Sequence, residues 1–509
     1  MSPDIRVIIG VAASVGVIFS SWPSAPASIA REKTKTPSVE WAGFGGNAPH
    51  TAVAVTPPQP FTRIRWKTKV DLVPVSGHYG SPMITAANSV LVPTVSKAGY
   101  RVTAYSGVSG AKRWSLNTDW QPSLLDHGET PPLPAVLTPS AGLAVAGAGG
   151  TILMRGHANQ AKAPASRLAF YGAAQWKAHK AVYDNAVQVT TPITAGADGS
   201  LYFGFVVHGA TPAHLSSGIA RIAANGHGSW VSATAAAVAN PKIINQVAFN
   251  CAPALSPDGN TVYITVNGPQ RSDLVRLNAS TLKPESHVIL KDPLSGKPVL
   301  IDDSSTASPT IGPDGDVYFG TLESAFEQHD HRGWLLHFNA TLSKTKIPGS
   351  FGWDNTTSVL PASAVPGYHG KSSYLLVSKY NNYIQAAPDG DGHNEVAVLD
   401  PSVSQKDPYA NVSTMKPIQT VLSPVQVPGQ PAGARYEWCI NSAVVDLADD
   451  SVIVNNEAGT VYRWDLATNK LAEQLHLNPP KEEAYTPTLS GPDGTVYAIN
   501  DGTLYAIGR

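Results

Sequence analysis

The side chains best suited to act on a ligand are acids that recur at one place in a repeating pattern. A unit opening on Ser, Thr or Ala followed by Pro recurs along the chain. The six residues before its copies include Asp126, Glu129, Asp302, Asp303, Asp354, Glu437, Glu482 and Glu483. Those eight acids fall among 48 positions, more than twice the density of the whole chain, which has 37 in 509. Carboxylates gathered in this way need compensation, most simply a hard cation such as calcium. Asp302, Asp303 and Glu483 are the candidate cation ligands. Trp353, Trp438 and Tyr485 share the same positions and offer faces for stacking on a flat ligand, with Trp438 the first choice as platform. The competing explanation is that loop residues are polar and solvated in any fold. No Ser-His-Asp constellation, phosphate loop or nucleophile elbow is legible, so no residue is assigned a catalytic role.

Three further groups carry metal or thiol chemistry. Glu327, His329 and His331 alternate in EQHDHRG and would share one face of a strand, where imidazole and carboxylate suit a transition metal. They fall in a linker, however, and are read as a solvated loop. The stretch 389–395, DGDGHNE, has acids among glycines but lacks the spacing of an EF-hand, and is read as a turn. Cys251 and Cys439 could form a disulfide in an exported protein, remain buried thiols, or present one thiol to a channel. The long region 401–438, with SPVQVPGQPAG at 423–433, is expected to be a lid or binding element.

What must position these groups is a set of β repeats. The cleanest copies are TPITAGADGSLYFG (191–204), APALSPDGNTVYIT (252–265), SPTIGPDGDVYFGT (308–321) and TPTLSGPDGTVYAI (486–499). Weaker copies begin at Ser81, Thr130, Ser358 and Asn441, which makes eight. In Pro257-Asp258-Gly259, Pro presets φ, Asp tolerates the next position, and Gly takes the left-handed one that returns the chain to strand pairing. These turn aspartates are therefore structural. A third and a fourth strand follow each hairpin. Four-stranded antiparallel units in series, with no helical periodicity, predict an all-β fold, an eight-bladed β-propeller. Seven blades is the alternative, if the Thr130 copy is an insertion. The last unit has room for three strands only, while RIRWKTKV (63–70) stands spare before the first, with Trp66 where KRWSL has Trp114. Pairing the two ends would complete the eighth blade and remove the open edge.

The segment AYSGVSGAKRW (104–114) resembles the Ala-x-Asp-x-x-Thr-Gly-Lys-x-x-Trp docking motif of quinoprotein-like (PQQ-like repeat) propellers, with Ser106 and Ser109 in place of Asp and Thr. WDLATNK (464–470) is a partial second copy, and the resemblance spans about residues 60–509. It implies either of two activities. Some members of that family are quinone- and calcium-dependent dehydrogenases; others are binding scaffolds, among them an outer-membrane assembly factor. Many alcohol-oxidising members carry adjacent cysteines over the quinone ring. Here the two cysteines stand at 251 and 439, so that feature is absent and no cofactor site is carried over.

Address and composition narrow the class. Val7 to Trp22 is uncharged over sixteen residues, short of the roughly 20 a spanning helix needs, and small-residue cleavage sites follow at Ala25-Pro26-Ala27 and Ser28-Ile29-Ala30. Residues 1–30 are read as a signal peptide, 31–60 as an N-terminal extension and 61–509 as one propeller domain. An uncleaved anchor is the alternative to cleavage. With 36 basic and 37 acidic residues and no basic block, nucleic acid is excluded as a partner. The expectation is an exported, periplasmic or extracellular monomer without a membrane span once the leader is removed. It would bind a small molecule, glycan or protein at the mouth of the central channel. The alternative is an oxidoreductase using calcium and pyrroloquinoline quinone at that mouth.

Overall fold

The structure, a computed structural model, describes residues 39–71, 80–96, 99–121, 134–299, 301, 307–325, 328–384, 390–438, 440, 442–478 and 488–509. Its strands form eight antiparallel sheets, the blades of a β-propeller. Blade four shows the plan: Ala254–Leu255 innermost, then Thr261–Asn267, Ser272–Asn278 and Pro284–Ile289 outward. The copy at Thr130 is a full blade, Ala135–Leu137 through Ala165–Ala169, so the count is eight and not seven. The first turn of each clean unit has the expected form. Gly199, Gly259, Gly315 and Gly494 are left-handed, with φ of 84°, 71°, 84° and 77°. The preceding aspartates accept the amides of Ser200, Asn260, Asp316 and Thr495, which fixes their structural role.

Blade eight is assembled from both ends of the chain. Leu489–Ser490, Val496–Asn500 and Thr503–Gly508 are its first three strands, and Arg63–Lys69 pairs with the last of them as its outer strand. Trp66 on that strand does what Trp114 does one blade on. Trp66 Nε1 donates to the Gly107 carbonyl of blade one, and Trp114 Nε1 donates to the Ala158 carbonyl of blade two, each at 2.9 Å. Gly110 of the docking motif sits under the Trp66 ring, where a Cβ would meet Cε3 at 2.5 Å. Glycine is needed there for close approach as well as for its φ of 69°.

Polar contacts of two kinds recur between neighbouring blades. Near the axis, the hydroxyls that open the units reach the next blade. Thr194 Oγ1 donates to the Pro253 carbonyl, the Ala252 amide donates to Ser308, the Ser308 amide to Thr356, and Ser358 Oγ to the Ala443 carbonyl. At the hairpin face a tyrosine of the second strand donates to the next blade's third-to-fourth strand turn. The pairs are Tyr202 to Ala279, Tyr263 to Ala340 and Tyr497 to Gly107, at 3.0, 2.7 and 3.1 Å. Between these belts the walls are apolar, with Trp464, Val445, Val396 and Leu360 in one continuous cluster across blades six and seven.

Blade five departs from the plan. Its regular sheet has three strands, and Thr345 and Gly349 add only isolated bridges to Phe338 and Leu335. Blade six compensates. Its third and fourth strands, Glu395–Lys406 and Ser413–Leu422, run on past a bulge at Asp400–Ser404 as an arm that crosses to blade five. There the Met415 amide donates to Pro348, and Ala410 and Val412 pack on the Trp334 cluster. The first part of the region expected to be a lid is therefore strand.

Arg463 of blade seven secures the crossing of the N-terminal linker. Its guanidinium donates to the Pro58 and Gln59 carbonyls and pairs with Asp446 at 2.7 Å and Glu473 at 3.1 Å. Asp446 is 1% exposed, and burial holds its carboxyl above the usual range despite the arginine. Arg463→Ala leaves that carboxylate enclosed without its cation, which should cost about 3–5 kcal/mol. Urea denaturation of the leader-free protein measures this; a loss below about 1 kcal/mol would assign the cluster no more weight than a surface pair.

Candidate functional site

The sequence places the candidate site in the residues preceding each innermost strand, and many of these lie outside the described residues. Of the proposed cation ligands, Asp302, Asp303 and Glu483 lie outside the described residues, as do Tyr485 and Cys439. Trp438 is fully enclosed. Its indole N–H donates to the Asn394 carbonyl, its amide donates to Asn381 Oδ1, and its ring meets Tyr462 edge-on at 5.4 Å. It packs blade six on blade seven. Trp353 is half-buried, 5.7 Å from the Tyr383 ring at an interplanar angle of 69°. The two tryptophans thus belong to packing layers rather than to a shared slot. Cys251 is buried in the core beside Thr265, and burial pushes its thiol up to about 11.

The two His/acid segments also resolve into structure. His329, read from sequence as solvated, is buried. Its ring stacks on Trp334 at 3.7 Å and 2°, with Nε2 on Asp407 at 3.2 Å and Nδ1 on the Gly333 carbonyl. The reason is the arm of blade six, whose tip carries Asp407 to it; a contact 78 residues away leaves no local signal. Burial alone would raise the Asp407 carboxyl, but the His329 and Ser350 hydrogen bonds hold it below the usual range. His331 offers its backbone amide to Glu323, and Glu327 lies outside the described residues. In the 389–395 stretch, Asp391 accepts from Asn382 and from the His393 amide, as a turn aspartate does. Among the described residues no three His, Cys, Asp or Glu side chains gather as metal ligands do.

What sequence reading missed entirely is the content of the axis. Residues 39–59, expected as an extension ahead of the propeller, make one circuit inside the inner strands, touching the blades in order. Val39 and Trp41 pair with Thr85 and Ile84 of blade one, and the Leu137 amide of blade two donates to Ala42. Leu255, Ile311, Val359 and Val445, of blades four to seven, donate to the carbonyls of Ala48, Pro49, Thr51 and Ala52. Ser490 and Gly494 of blade eight bind Thr56 and Gln59. Trp41, Phe44, His50 and Ala52 fill the space between, and Phe44 meets His50 edge-on at 5.3 Å. The segment is tightly folded on itself: a Cβ at Gly45, where φ is 63°, would lie 2.6 Å from that of His50. The inner-strand amides that hold it come from blades four to seven, so it forms a floor across the axis.

His50 is the ionisable group at this floor. Nδ1 donates to the Pro309 carbonyl at 2.7 Å, which fixes the neutral tautomer, while Nε2 is buried without a partner. Burial pushes its pKa down to about 4.

No family model and no curated protein matches the chain. Solved structures do match in fold. A quinohemoprotein alcohol dehydrogenase from Comamonas testosteroni superposes with a TM-score of 0.57, covering 94% of this chain and 82% of its own at 11% identity. A europium-containing methanol dehydrogenase gives 0.56 over 91% and 89% at 9% identity. A quinohemoprotein alcohol dehydrogenase from Pseudomonas putida HK5 gives 0.51 over 93% and 76% at 11%. The chain therefore has the eight-bladed fold of the quinoprotein dehydrogenases, and at these identities the likeness is one of fold. Among the described residues Trp438 has no open face and no three carboxylates gather as metal ligands do.

Two outcomes follow from the burial of these groups. His50 titrates near 6.5 when unfolded and about 4 when folded. The unfolded chain therefore binds the proton first, and stability is lost as pH falls from 6.5 towards 4. The loss is about 3 kcal/mol, and His50→Gln should flatten that part of the profile of unfolding free energy against pH. An unaltered profile would place the imidazole in contact with solvent. In a Cys439→Ser background, Cys251 should resist a thiol reagent at pH 8 until denaturant is added; prompt labelling of the native protein would contradict its burial.

Proposed function

We propose that this chain is an exported, non-catalytic propeller that binds its ligand, a small molecule, glycan or protein, at the mouth of a channel closed from within. The observation that supports the reading is the occupied axis: residues 39–59 hydrogen-bond to inner strands of seven blades and bury Trp41, Phe44 and His50 among them. The enclosure of Trp438 and of the Cys251 thiol supports it too, since neither is presented to a ligand. Export rests on the apolar stretch at residues 7–22, and among the described residues no helix is long and apolar enough to cross a membrane.

The test is calorimetric titration of the leader-free protein with pyrroloquinoline quinone in the presence of calcium. No saturable heat is expected. Micromolar binding at one site per chain would overturn the reading in favour of a quinone- and calcium-dependent oxidoreductase, with Asp302, Asp303 and Glu483 as the first residues to substitute.

A further inference from the structure

On the hairpin face, opposite the mouth, one second-strand tyrosine lacks the acceptor that Tyr202, Tyr263 and Tyr497 find in the next blade. Tyr318 of blade five holds the same position as Tyr202, Tyr263 and Tyr497, but blade six lacks the tight turn that would receive it, because its third strand runs on into the arm. Tyr318 bonds instead to Tyr374 Oη at 2.6 Å, and Tyr374 donates onward to Asp314 Oδ1 at 2.8 Å. The space that a turn would have filled remains as a cleft of about 730 Å3, against about 290 Å3 for the cleft between blades three and four, where the tyrosine is latched. A cleft of that size is within the usual range for small-ligand sites.

The two clefts also differ in their cations. Between blades three and four, Arg221 is engaged by Ser200 and by Asp198. Between blades five and six, Lys344, Lys346 and Lys371 converge. Asp316, bonded to His337 at 2.9 Å, neutralises Lys346. Lys344 and Lys371 have no acidic partner among the described residues. Beside them lie the Ser373 and Ser402 hydroxyls and Asp314, whose Oδ1 accepts both Tyr374 and the Asp316 amide while Oδ2 faces no such donor. Two unpaired ammonium groups suit an anion. A carboxylate and hydroxyls within the same cleft suit ligand hydroxyl groups, as acceptor and as donors.

We propose that the cleft between blades five and six binds an acidic saccharide, with Lys344 and Lys371 on its carboxylate and Asp314 on its hydroxyl groups. This is a second site, separate from the mouth, and it stands whether or not the quinone titration overturns the axial reading. The experiment is calorimetric titration of the leader-free protein with trigalacturonate, and with uncharged maltotriose as control. The expected result is saturable one-to-one binding of trigalacturonate only, weakened at higher salt and at least tenfold by Lys344→Ala with Lys371→Ala. Both lysines are exposed, so the double variant should melt with the wild type; Asp314→Asn should weaken binding without removing the charge preference. No saturable binding of trigalacturonate, equal binding of maltotriose, or full affinity in the double lysine variant would each overturn the proposal.

Discussion

The constraint on which the whole structure depends is closure of the ring. A single four-stranded blade has two apolar faces and an outer edge, and it can bury the faces only against neighbours. A row of blades would leave two raw faces at its ends. Here the ends meet inside blade eight, where Arg63–Lys69 pairs with Thr503–Gly508. The join reaches as far as Thr62 Oγ1 donating to Gly508 across 446 residues. Each hydrogen bond in the hydroxyl, tyrosine and tryptophan belts is worth only about 1 kcal/mol. Their weight lies in fixing the angle between successive blades so that the eighth arrives where the first begins.

Closure also explains the axial segment. Eight blades leave a wider hole than the side chains of inner strands of two to four residues can fill. The inner strands also present amides that need acceptors. Residues 39–59 supply both, with carbonyls for Leu255, Ile311, Val359 and Val445 and bulk from Trp41, Phe44 and His50. Their partners are spread over almost the whole chain, so the segment cannot acquire its native contacts until the last blade has formed. A segment close to the N-terminus is thereby the last to be satisfied, and the loop-closure entropy of contacts such as Gln59 with Arg463, 404 residues apart, is recovered only at that point.

The legible part of the fold was the part that repeats. Pro-Asp-Gly turns, the Ser/Thr-Pro openings and the paired roles of Trp66 and Trp114 are local or periodic features, and they were enough to give eight blades and the mode of closure. The tyrosines that reach the next blade stand in LYFG, VYIT and VYAI, but nothing in the repeat marks their partners there. The axial segment carried no period because each residue answers a different blade. His329 was misread because its partner, Asp407, arrives on an arm with no counterpart in the other units. Trp438 was put forward because of its place before an inner strand, yet that place says nothing of which way the ring turns, and here it turns into the wall between blades.

The contrast between repeated and irregular interfaces bears on where recognition can reside. Tyr202, Tyr263 and Tyr497 tie their blades to the next, and at the first of these interfaces the cleft is small. Between blades five and six, room opens where another element has taken over the structural duty. At blades five and six the arm does so, replacing the missing fourth strand with the Met415 amide on Pro348 and pinning its tip through Asp407 to His329. Relieved of the turn, that interface holds unpaired lysines at its surface without loosening the ring. A propeller fixed by closure can thus vary its chemistry at the interface where its own repeat has broken down.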